Sequence, residues 1–555
     1  FFQAEDGIRD LVRSRGRGDV YKRQKQVKMK KKYITCIMAM VMTTVAGLVS
    51  CVEDEGNYEL APINEISISG IEESYSRIAH AESLVIEPEI KGTISNTDES
   101  QLEYKWFFSE SSGFDVTHTV ISTERNLNIP VDVAPGNYQL YYQVTDKSTG
   151  LKWETSTNLE ATSPFVRGFY LFGDKEDGTC GMDFVSFIDG RDTTVIKDIF
   201  VNSTNLRGAK NLVFTGDYYR DIIVNLWAIA DNGSYQVENS AQLGSFDVLE
   251  DRTGENMIFP TVPVTHPLKV VDVCPHASGS GNASMSNRMR IIMTENEIFA
   301  NSSIAYNNVE AYGNPYNRYS DTSEELFKPA PYVFNVGNAT NPYSISRWMF
   351  FDETNHRFVG INSSYSTYCT EYANDSETPF YFDQTKYTPV RTLVYGENGY
   401  GNAGRSYALM TDADGKYYVY GFSLATAPPA KYYGNEIDLS VATGFANASH
   451  YAFFSMQAII LYSVGTQLWG YDYNRKEAKM LKDFGAEITY LAMDHNSNDE
   501  PTDFIVATYN AAEKGAVRKF TIEDNQNKIN ITPHEKEVWK TDLKVVKVEY
   551  RNSTN

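Results

Sequence analysis

Apolar and polar residues alternate with a period of two along most of the chain that follows residue 60. The alternating runs are short, and Gly, Pro, Asn and Asp separate them. This pattern is typical of β-strands that bury one face, whereas no stretch after residue 55 keeps the 3.6-residue spacing of an amphipathic helix. We therefore predict an all-β protein in which helices are few and short.

Residues 61–161 show the alternation expected of one small β-sandwich. In the predicted strand at 102–108, Leu102, Tyr104 and Trp106 share one face, so Trp106 is placed to fill the space between two sheets. The six predicted strands span residues 65–69, 84–90, 102–108, 126–129, 138–145 and 153–159.

Residues 165–551 repeat one unit seven times: an apolar strand, a turn and a second apolar strand. The units are anchored at residues 170, 213, 291, 349, 408, 453 and 491, with spacings of 43, 78, 58, 59, 45 and 38 residues. Propeller blades recur at about 40–50 residues, so we predict a β-propeller of six to eight blades, with seven favoured. Residues 545–550 are expected to return to the first blade and close the ring. Irregular β-sandwich domains are the alternative, and the 78-residue gap leaves room for a further blade or an insertion.

The stretch at 29–50 has the organisation of a bacterial signal peptide that ends at a lipidation site. Basic residues 30–32 precede an apolar run at 34–49, and the sequence Leu-Val-Ser leads directly to Cys51. This order fits a lipobox, in which Cys51 is lipidated and becomes the first residue of the processed chain. The apolar run has 16 residues, fewer than the roughly 20 that a membrane-spanning helix needs, so processing is favoured over an uncleaved anchor.

Two segments flank this signal. Residues 1–28 resemble translated sequencing-adapter sequence and are interpreted as a non-native extension, with a natural basic extension as the alternative. Residues 51–60 form an acidic tether in which Glu53, Asp54 and Glu55 closely follow Cys51. The triplet resembles the export signal of Bacteroidetes lipoproteins, which implies an outer-membrane anchor that faces the cell exterior. A solvated linker is the simpler interpretation of the same charges.

The charge balance argues against two classes of partner. Residues 1–50 hold 11 of the 50 basic and 4 of the 72 acidic residues, so the remaining 505 residues carry 39 against 68, a formal charge of −29. Such a field repels nucleic acid and anionic lipid, so neither is expected as a partner. A chain of this length exceeds what one hydrophobic core supports, and two or more domains are expected.

The cysteines and histidines form no sequence motif that is typical of a catalytic or metal site. With Cys36 in the signal and Cys51 at the lipidation site, Cys180, Cys274 and Cys369 are expected to be buried thiols, and one bridged pair is the alternative. The sequence contains no CxxC, His-Glu-x-x-His or Gly-x-Ser-x-Gly motif. We therefore assign no catalytic residue, metal ligand or cofactor.

Four polar segments invite a functional interpretation, and each has a simpler one. The Asp-Ala-Asp-Gly sequence at 412–415 lacks the Glu that an EF-hand needs at its twelfth position, so a hairpin turn is predicted. Residues 494–500 are predicted to be a mobile acidic loop, with a structural cation as the alternative, and residues 276–281 a flexible loop. The tyrosine-rich residues 307–319 are a candidate stacking platform for sugars or peptide side chains, with surface decoration as the alternative. The ligand-binding residues are otherwise unknown at this level.

One part of the predicted sandwich resembles a known family. Residues 136–146, GNYQLYYQVTD, are similar to the Tyr-x-Val-x-Leu-x-Val-x-Asp strand of PKD domains, and 102–108 stands where these domains carry a tryptophan strand. The Trp-Asp-Phe-Gly-Asp-Gly motif of PKD domains is replaced by Trp-Phe-Phe-Ser-Glu at 106–110. With the lipobox, the tether and the β-rich remainder, the chain resembles the PKD-like family lipoproteins of Bacteroidetes.

The resemblance implies a place in nutrient acquisition at the outer membrane, beside SusC/SusD-like transporter components. Our leading hypothesis is a surface-exposed, lipid-anchored protein that captures an extracellular glycan or peptide with its propeller loops. The first alternative is a propeller-type glycan hydrolase or lyase, with two or three carboxylates about 5–10 Å apart at the central channel. The second is a purely structural or adhesive surface lipoprotein, which would have no concave aromatic or charged pocket.

Overall fold

A computed structural model defines the fold of the protein. It describes residues 63–552 except 95–97, 113–114, 189, 216–224, 241, 243, 261, 275–288, 303–311, 336–346, 364, 374, 400–404, 495–501 and 524–527. The predicted extension, signal peptide, lipobox and acidic triplet, together with the loop at 276–281, lie outside the described residues. The sandwich and the propeller belong to one compact unit that begins at Ile66.

Nine strands build the predicted sandwich. They are β1 Ile66–Ser69, β2 Ser74–Ile78, β3 Ser83–Ile86, β4 Glu89–Gly92, β5 Leu102–Ser112, β6 Asp115–Ser122, β7 Leu127–Pro130, β8 Gly136–Asp146 and β9 Lys152–Thr162. One sheet has five strands in the order β2-β9-β8-β5-β6, and β1–β4 and β3–β7 form two-stranded sheets. The predicted strand at 84–90 is divided in two, because β3 pairs with β7 while β4 pairs with β1. The alternation did not reveal β2 and β6, which are the edge strands of the large sheet.

Trp106 lies at the centre of the sandwich core, as its position in the strand predicted. Its side chain has no exposed surface, and its ring centroid lies 4.2 Å from that of Tyr142 on the neighbouring strand β8. The indole Nε1 donates a hydrogen bond of 3.1 Å to the Glu124 carbonyl. Burial of the ring therefore leaves no indole N–H without an acceptor.

The strands that follow build seven sheets in the described part of the chain. They are β10 Arg167–Asp174, β11 Cys180–Ser186, β12 Thr194–Ile196, β13 Phe200–Val201, β14 Ala209–Phe214, β15 Leu226–Ala230, β16 Gly233–Val237, β17 Phe246–Thr253, β18 Val270–Cys274, β19 Met289–Thr294, β20 Ile298–Ser302, β21 Trp348–Asp352, β22 Arg357–Ile361, β23 Thr370–Glu371, β24 Arg391–Asn398, β25 Ser406–Asp412, β26 Tyr417–Ser423, β27 Ala430–Glu436, β28 His450–Phe454, β29 Ile459–Val464, β30 Gln467–Asp472, β31 Glu477–Asp483, β32 Glu487–Met493, β33 Asp503–Asn510, β34 Lys514–Ile522, β35 Ile531–Thr541 and β36 Lys544–Asn552.

Each sheet is one blade of a seven-bladed β-propeller, so the predicted architecture is confirmed. Blade 1 is β36-β10-β11-β12, blade 2 is β14 to β17 with β13 at its edge, and blade 3 is β18 to β20. Blades 4 to 7 are β21 to β23, β24 to β27, β28 to β31, and β32 to β35. The first strands of neighbouring blades contact one another around the centre, as β36 does with β14 and β28 with β32. In blade 4 residues 329–335 take the place of the first strand. They form isolated β-bridges with β21 at Pro329 and Phe334.

The ring closes in blade 1, where residues 545–550 return to the first blade as predicted. Strand β36 pairs antiparallel with β10, with Tyr550 opposite Phe169 and Val548 opposite Leu171. Gly173 makes the approach of the two strands feasible, because a Cβ there would overlap the Lys544 carbonyl oxygen. Closure thus removes two sheet edges that would otherwise be open.

The unequal spacing of the seven sequence anchors has a simple cause. Residues 213, 453 and 491 lie on first strands of their blades, whereas 170, 291, 349 and 408 lie on second strands. The 78-residue gap contains the remaining strands of blade 2, a four-residue helix α1 (Gly254–Met257) and β18. The described residues of the gap form no further blade.

Helices are few and short in the described residues, as predicted. Besides α1, there are three-residue 3-10 turns at Glu99–Gln101, Gln384–Lys386 and Phe445–Asn447. Strand β24 was not predicted because all eight of its residues are half-buried, which erases the alternation of period two.

The sandwich docks on one end of the ring, which we call the lower face. This face carries the connection between β11 and β12 in blade 1 and, in the other blades, the connections between first and second strands and between third and fourth strands where a fourth strand is present. Arg191, between β11 and β12, donates to Glu82 Oε1 (2.7 Å) and to the Ser76 carbonyl (3.2 Å) of the sandwich. The sandwich therefore lies against the lower side of blade 1.

Candidate functional site

A pocket of about 390 Å³ lies on the lower face, at the junction of blades 5 and 6. We call it the 5/6 pocket. Cavities of about 300–1,000 Å³ are typical of small-ligand sites. Its lining residues are Arg405, Tyr433, Ser455, Met456, Gln457, Ala458, Asp472, Tyr473, Asn474 and Arg475.

Turns rather than strands supply most of the lining. Residues 455–458 join β28 to β29, and residues 473–476 join β30 to β31. The second turn is held by Asp472, whose Oδ1 accepts the backbone N–H groups of Asn474 (2.9 Å) and Arg475 (2.8 Å). An aspartate that caps the two following N–H groups is a common way to stabilise a tight turn. The side chains of this turn are therefore presented by a rigid backbone.

Tyrosines form the inner wall of the 5/6 pocket. The hydroxyls of Tyr433 and Tyr473 share a hydrogen bond of 2.9 Å. Behind them, the ring centroid of Tyr407 lies 6.5 Å from that of Tyr433. Burial raises the pKa of all three phenols above the ordinary value. They are therefore neutral at physiological pH and can donate hydrogen bonds.

Two arginines give the pocket its charge, and they differ in their contacts. Arg475 Nε donates to Asp472 Oδ2 at 2.8 Å, so its charge is balanced locally. The Arg405 guanidinium lies 4.2 Å from the ring centroid of Tyr432, and its Nε is buried without a hydrogen-bond partner among the described residues. Arg405 is thus positioned beside the pocket by the Tyr432 ring and by a hydrogen bond with the Tyr433 side chain.

The central channel contains carboxylates, but they hold neighbouring blades together. Glu549 Oε1 accepts the backbone N–H of Phe214 (3.2 Å), and Glu549 Oε2 pairs with Lys547 (3.4 Å). Burial alone would lower the pKa of Lys547, but the Glu549 carboxylate outweighs it and raises that pKa above the ordinary value. Glu549 therefore links blade 1 to blade 2 and holds the charge of Lys547 beside it.

Glu397 and Tyr490 connect the first strands of neighbouring blades in the same way. Glu397 Oε2 accepts the backbone N–H of Phe453 (2.9 Å) and the hydroxyl of Tyr395 (3.1 Å), which links blade 5 to blade 6. Tyr490 donates to the Val548 carbonyl (3.1 Å) and links blade 7 to blade 1. Burial raises the pKa of Tyr490 to about 12, so it remains a donor. Polar groups at the channel thus satisfy backbone groups of adjacent strands.

The cysteines are buried free thiols in the described structure, as predicted. Burial raises the pKa of Cys180 to about 12, and it also raises the pKa of Cys274 and Cys369. These thiols stay protonated and unreactive at physiological pH. The part of the chain that the structure describes contains no group of three His, Cys, Asp or Glu that could hold a metal ion.

The structure decides one of the polar segments and describes only the first residue of another. The sequence at 412–415 is a hairpin turn, as predicted: Asp412 Oδ1 accepts the N–H groups of Asp414 and Lys416, and Gly415 has φ +76°. In the acidic segment, Asp494 forms an ion pair of 2.9 Å with Lys519, and the residues after it lie outside the described ones.

The candidate platform at 307–319 is wrong for the part that the structure describes. Tyr312 is 1% exposed and Tyr316 is buried, both in the apolar core, and Tyr319 donates to Asp352 Oδ2 at 2.5 Å. Neither a stacking surface nor surface decoration fits such packing. The sequence singled out none of the residues of the 5/6 pocket, because Arg, Asn, Gln and Ser in short turns look like ordinary surface residues.

Residues 51–209 match the family model of the PKD-like family. The resemblance inferred from residues 136–146 is therefore confirmed over this part of the chain. The matched range passes beyond the sandwich and ends at the first residue of β14. No curated relative matches the chain by sequence.

Solved structures of propeller-like proteins are similar in fold. A quinonprotein alcohol dehydrogenase-like protein from Bacteroides thetaiotaomicron has 12% identity and a TM-score of 0.40, over 89% of this chain and all of its own. The extracellular domain of a protein described as a one-component system, from the same species, has 10% identity and a TM-score of 0.29. That match spans 84% of this chain and 64% of the other. At such identity the likeness concerns the fold alone.

Proposed function

We propose that this protein is a surface-exposed, lipid-anchored binding protein that captures an extracellular glycan or peptide. The observation that carries the proposal is the 5/6 pocket. It combines a cavity of ligand size with neutral phenols, amides and arginine side chains. Apolar surface for packing, with a few placed polar groups for orientation, is the usual composition of a small-ligand site.

The cellular location in this proposal rests on the sequence alone. Cys51 would carry the lipid, and Glu53, Asp54 and Glu55 would direct the protein to the outer face of the outer membrane. Among the described residues, no helix is long and apolar enough to span a membrane. The partner we propose is a SusC/SusD-like transporter, to which the tethered protein would deliver its ligand.

The contacts of the channel carboxylates do not favour the hydrolase or lyase hypothesis. A glycosidase needs one carboxylic acid that can give a proton and one carboxylate with a free oxygen. Glu549 and Glu397 instead accept hydrogen bonds from backbone N–H groups of neighbouring strands. The purely adhesive hypothesis predicts no charged aromatic pocket, whereas the 5/6 pocket is one.

The proposal is tested by a ligand screen on the soluble 52–555 chain. Glycans, peptides and the partner transporter are titrated against the wild type, against Asn474→Ala and against Gln457→Ala. If the 5/6 pocket is the site, each substitution weakens binding by about tenfold, because one hydrogen bond to the ligand is lost. Asn447→Ala is the matched control, since it removes an exposed amide between the same two blades at the opposite face. Absence of binding to the whole panel by the wild type would sink the proposal.

A further inference from the structure

We propose that the 5/6 pocket recognises the carboxylate of an acidic sugar, and that Arg405 is the residue that binds it. This inference rests on the proposed binding function and narrows the ligand to one chemical class: glycans that contain uronic acid units. Charge, geometry and the chemistry of the lining support it in turn.

The charge of the pocket is opposite to that of the protein. The chain carries a formal charge of −22, yet the described lining contains two arginines and a single acidic residue, Asp472. Asp472 is already engaged by Arg475, at 2.8 Å. One positive charge, that of Arg405, therefore remains for a ligand. The negative field of the whole protein repels anions at long range, so an anionic ligand would have to be held by this local positive charge.

The geometry of Arg405 is that of a preorganised anion-binding group. Its guanidinium lies over the Tyr432 ring at 4.2 Å, which holds the plane of the guanidinium in place. Its Nε is buried and makes no hydrogen bond to any described residue. A ligand carboxylate can accept two hydrogen bonds from the two terminal nitrogens of one guanidinium, and the Arg405 side chain lines the pocket. Binding of a carboxylate would therefore gain a bidentate ion pair at little cost in side-chain ordering.

The rest of the lining suits a sugar better than a peptide. Asn474 Oδ1 accepts from Asn435 Nδ2 at 2.9 Å, so the amide nitrogen is the group that Asn474 can offer to a ligand hydroxyl. The tyrosine wall offers a neutral phenol and an aromatic edge beside it. The lining contains one exposed apolar side chain, Met456, which is 43% exposed. Peptides are often held by apolar side-chain pockets, and the turns that supply most of this lining provide few apolar side chains.

The experiment measures binding of two probes to the purified full chain by titration calorimetry. The probes are a galacturonate trimer and its methyl ester, in which each carboxylate charge is replaced by a neutral methyl ester. The expected result is a preference of about tenfold or more for the acid form, which shrinks as NaCl rises from about 50 mM to about 500 mM.

The variant Arg405→Gln should lose that preference, and its affinity for the acid should fall about tenfold or more. Lys416→Gln is the matched control, because it removes one exposed positive charge from the upper end of the same blade. It should retain the wild-type preference. Equal unfolding temperatures of the three proteins would exclude a folding defect as the cause.

The outcomes separate the two proposals. Equal affinity for acid and ester in the wild type, or a preference that survives Arg405→Gln, would overturn the carboxylate inference while leaving a glycan-binding pocket. Binding of peptides with a free carboxyl terminus and of neither sugar would overturn the choice of a sugar. Failure of the wild type to bind any glycan or peptide would instead remove the proposed function itself.

Discussion

At the scale of single residues, burial decides which side chains carry structure and which are available for binding. Glu549 and Glu397 look like catalytic candidates by type and by their place at the channel. Their contacts with the backbone N–H groups of Phe214 and Phe453 make them links between blades instead. Arg405, which is inconspicuous in the sequence, lines the 5/6 pocket, where the one acidic residue of the lining, Asp472, is already paired with Arg475.

Trp106 is predicted to be essential for the stability of the sandwich. Trp106→Ala would leave a large cavity between the sheets and should destabilise the sandwich by about 3–5 kcal/mol. Urea unfolding followed by tyrosine and tryptophan fluorescence measures the change. Val120→Ala, at a position that is 48% exposed in β6, is the control and should change the stability little. A Trp106→Ala protein as stable as the control would contradict the assigned core.

The contact between Glu82 and Arg191 is predicted to make docking of the sandwich dependent on pH. Burial alone would raise the pKa of Glu82, but the N–H of Ile78 and the Arg191 guanidinium outweigh it and lower that pKa below 4.5. A lowered folded-state pKa means that the stabilisation is complete above the unfolded value and is lost as the pH falls through the folded one.

The free energies of unfolding of the wild type and Glu82→Gln should therefore differ by a constant amount above about pH 5 and converge toward about pH 3. Denaturant titrations at a series of pH values measure this difference. A gap that persists unchanged into acid would show that the charge of Glu82 does not hold the sandwich to blade 1.

At the scale of elements, the closing strand β36 is the one on which the ring depends. Gly173→Ala should disturb its pairing with β10, because the new Cβ would overlap the Lys544 carbonyl, and overpacking of this kind costs about 1–3 kcal/mol. Thermal unfolding measures the effect. Gly313→Ala is the control, since a Cβ there has open space around it and the residue has no positive φ. Equal stability of the two variants would argue against the closure in blade 1.

At the scale of the whole molecule, the anchored orientation depends on one cysteine. Cys51→Ser should abolish incorporation of labelled palmitate in cells and release the protein from the membrane fraction, because the thiol is the proposed attachment point. Cys180→Ser is the control: its thiol is buried in blade 1, so labelling should persist. Undiminished labelling of the Cys51→Ser protein would refute the lipobox interpretation.

Much of the fold could be read from local patterns. Strands with a buried and a polar face repeat with period two, and this sufficed for the sandwich, the seven units and the return of residues 545–550 to blade 1. Strands with two half-buried faces, such as β24, or edge strands, such as β2 and β6, carry no such pattern and were missed. The platform at 307–319 failed for a related reason: tyrosine is equally suited to a surface and to a core, and packing alone decides between them.

The sequence by itself predicted the β architecture, the number of repeats, the closing strand and the site of membrane attachment. Each of these can be read from the alternation of apolar and polar residues and from short motifs along the chain. Only the tertiary structure decided which carboxylates are engaged and where a ligand fits. The 5/6 pocket joins Arg405 to Arg475 across 70 positions of sequence and two blades. Its character arises from which charges lie close enough to cancel, and that distance is set by the packing of one blade against the next.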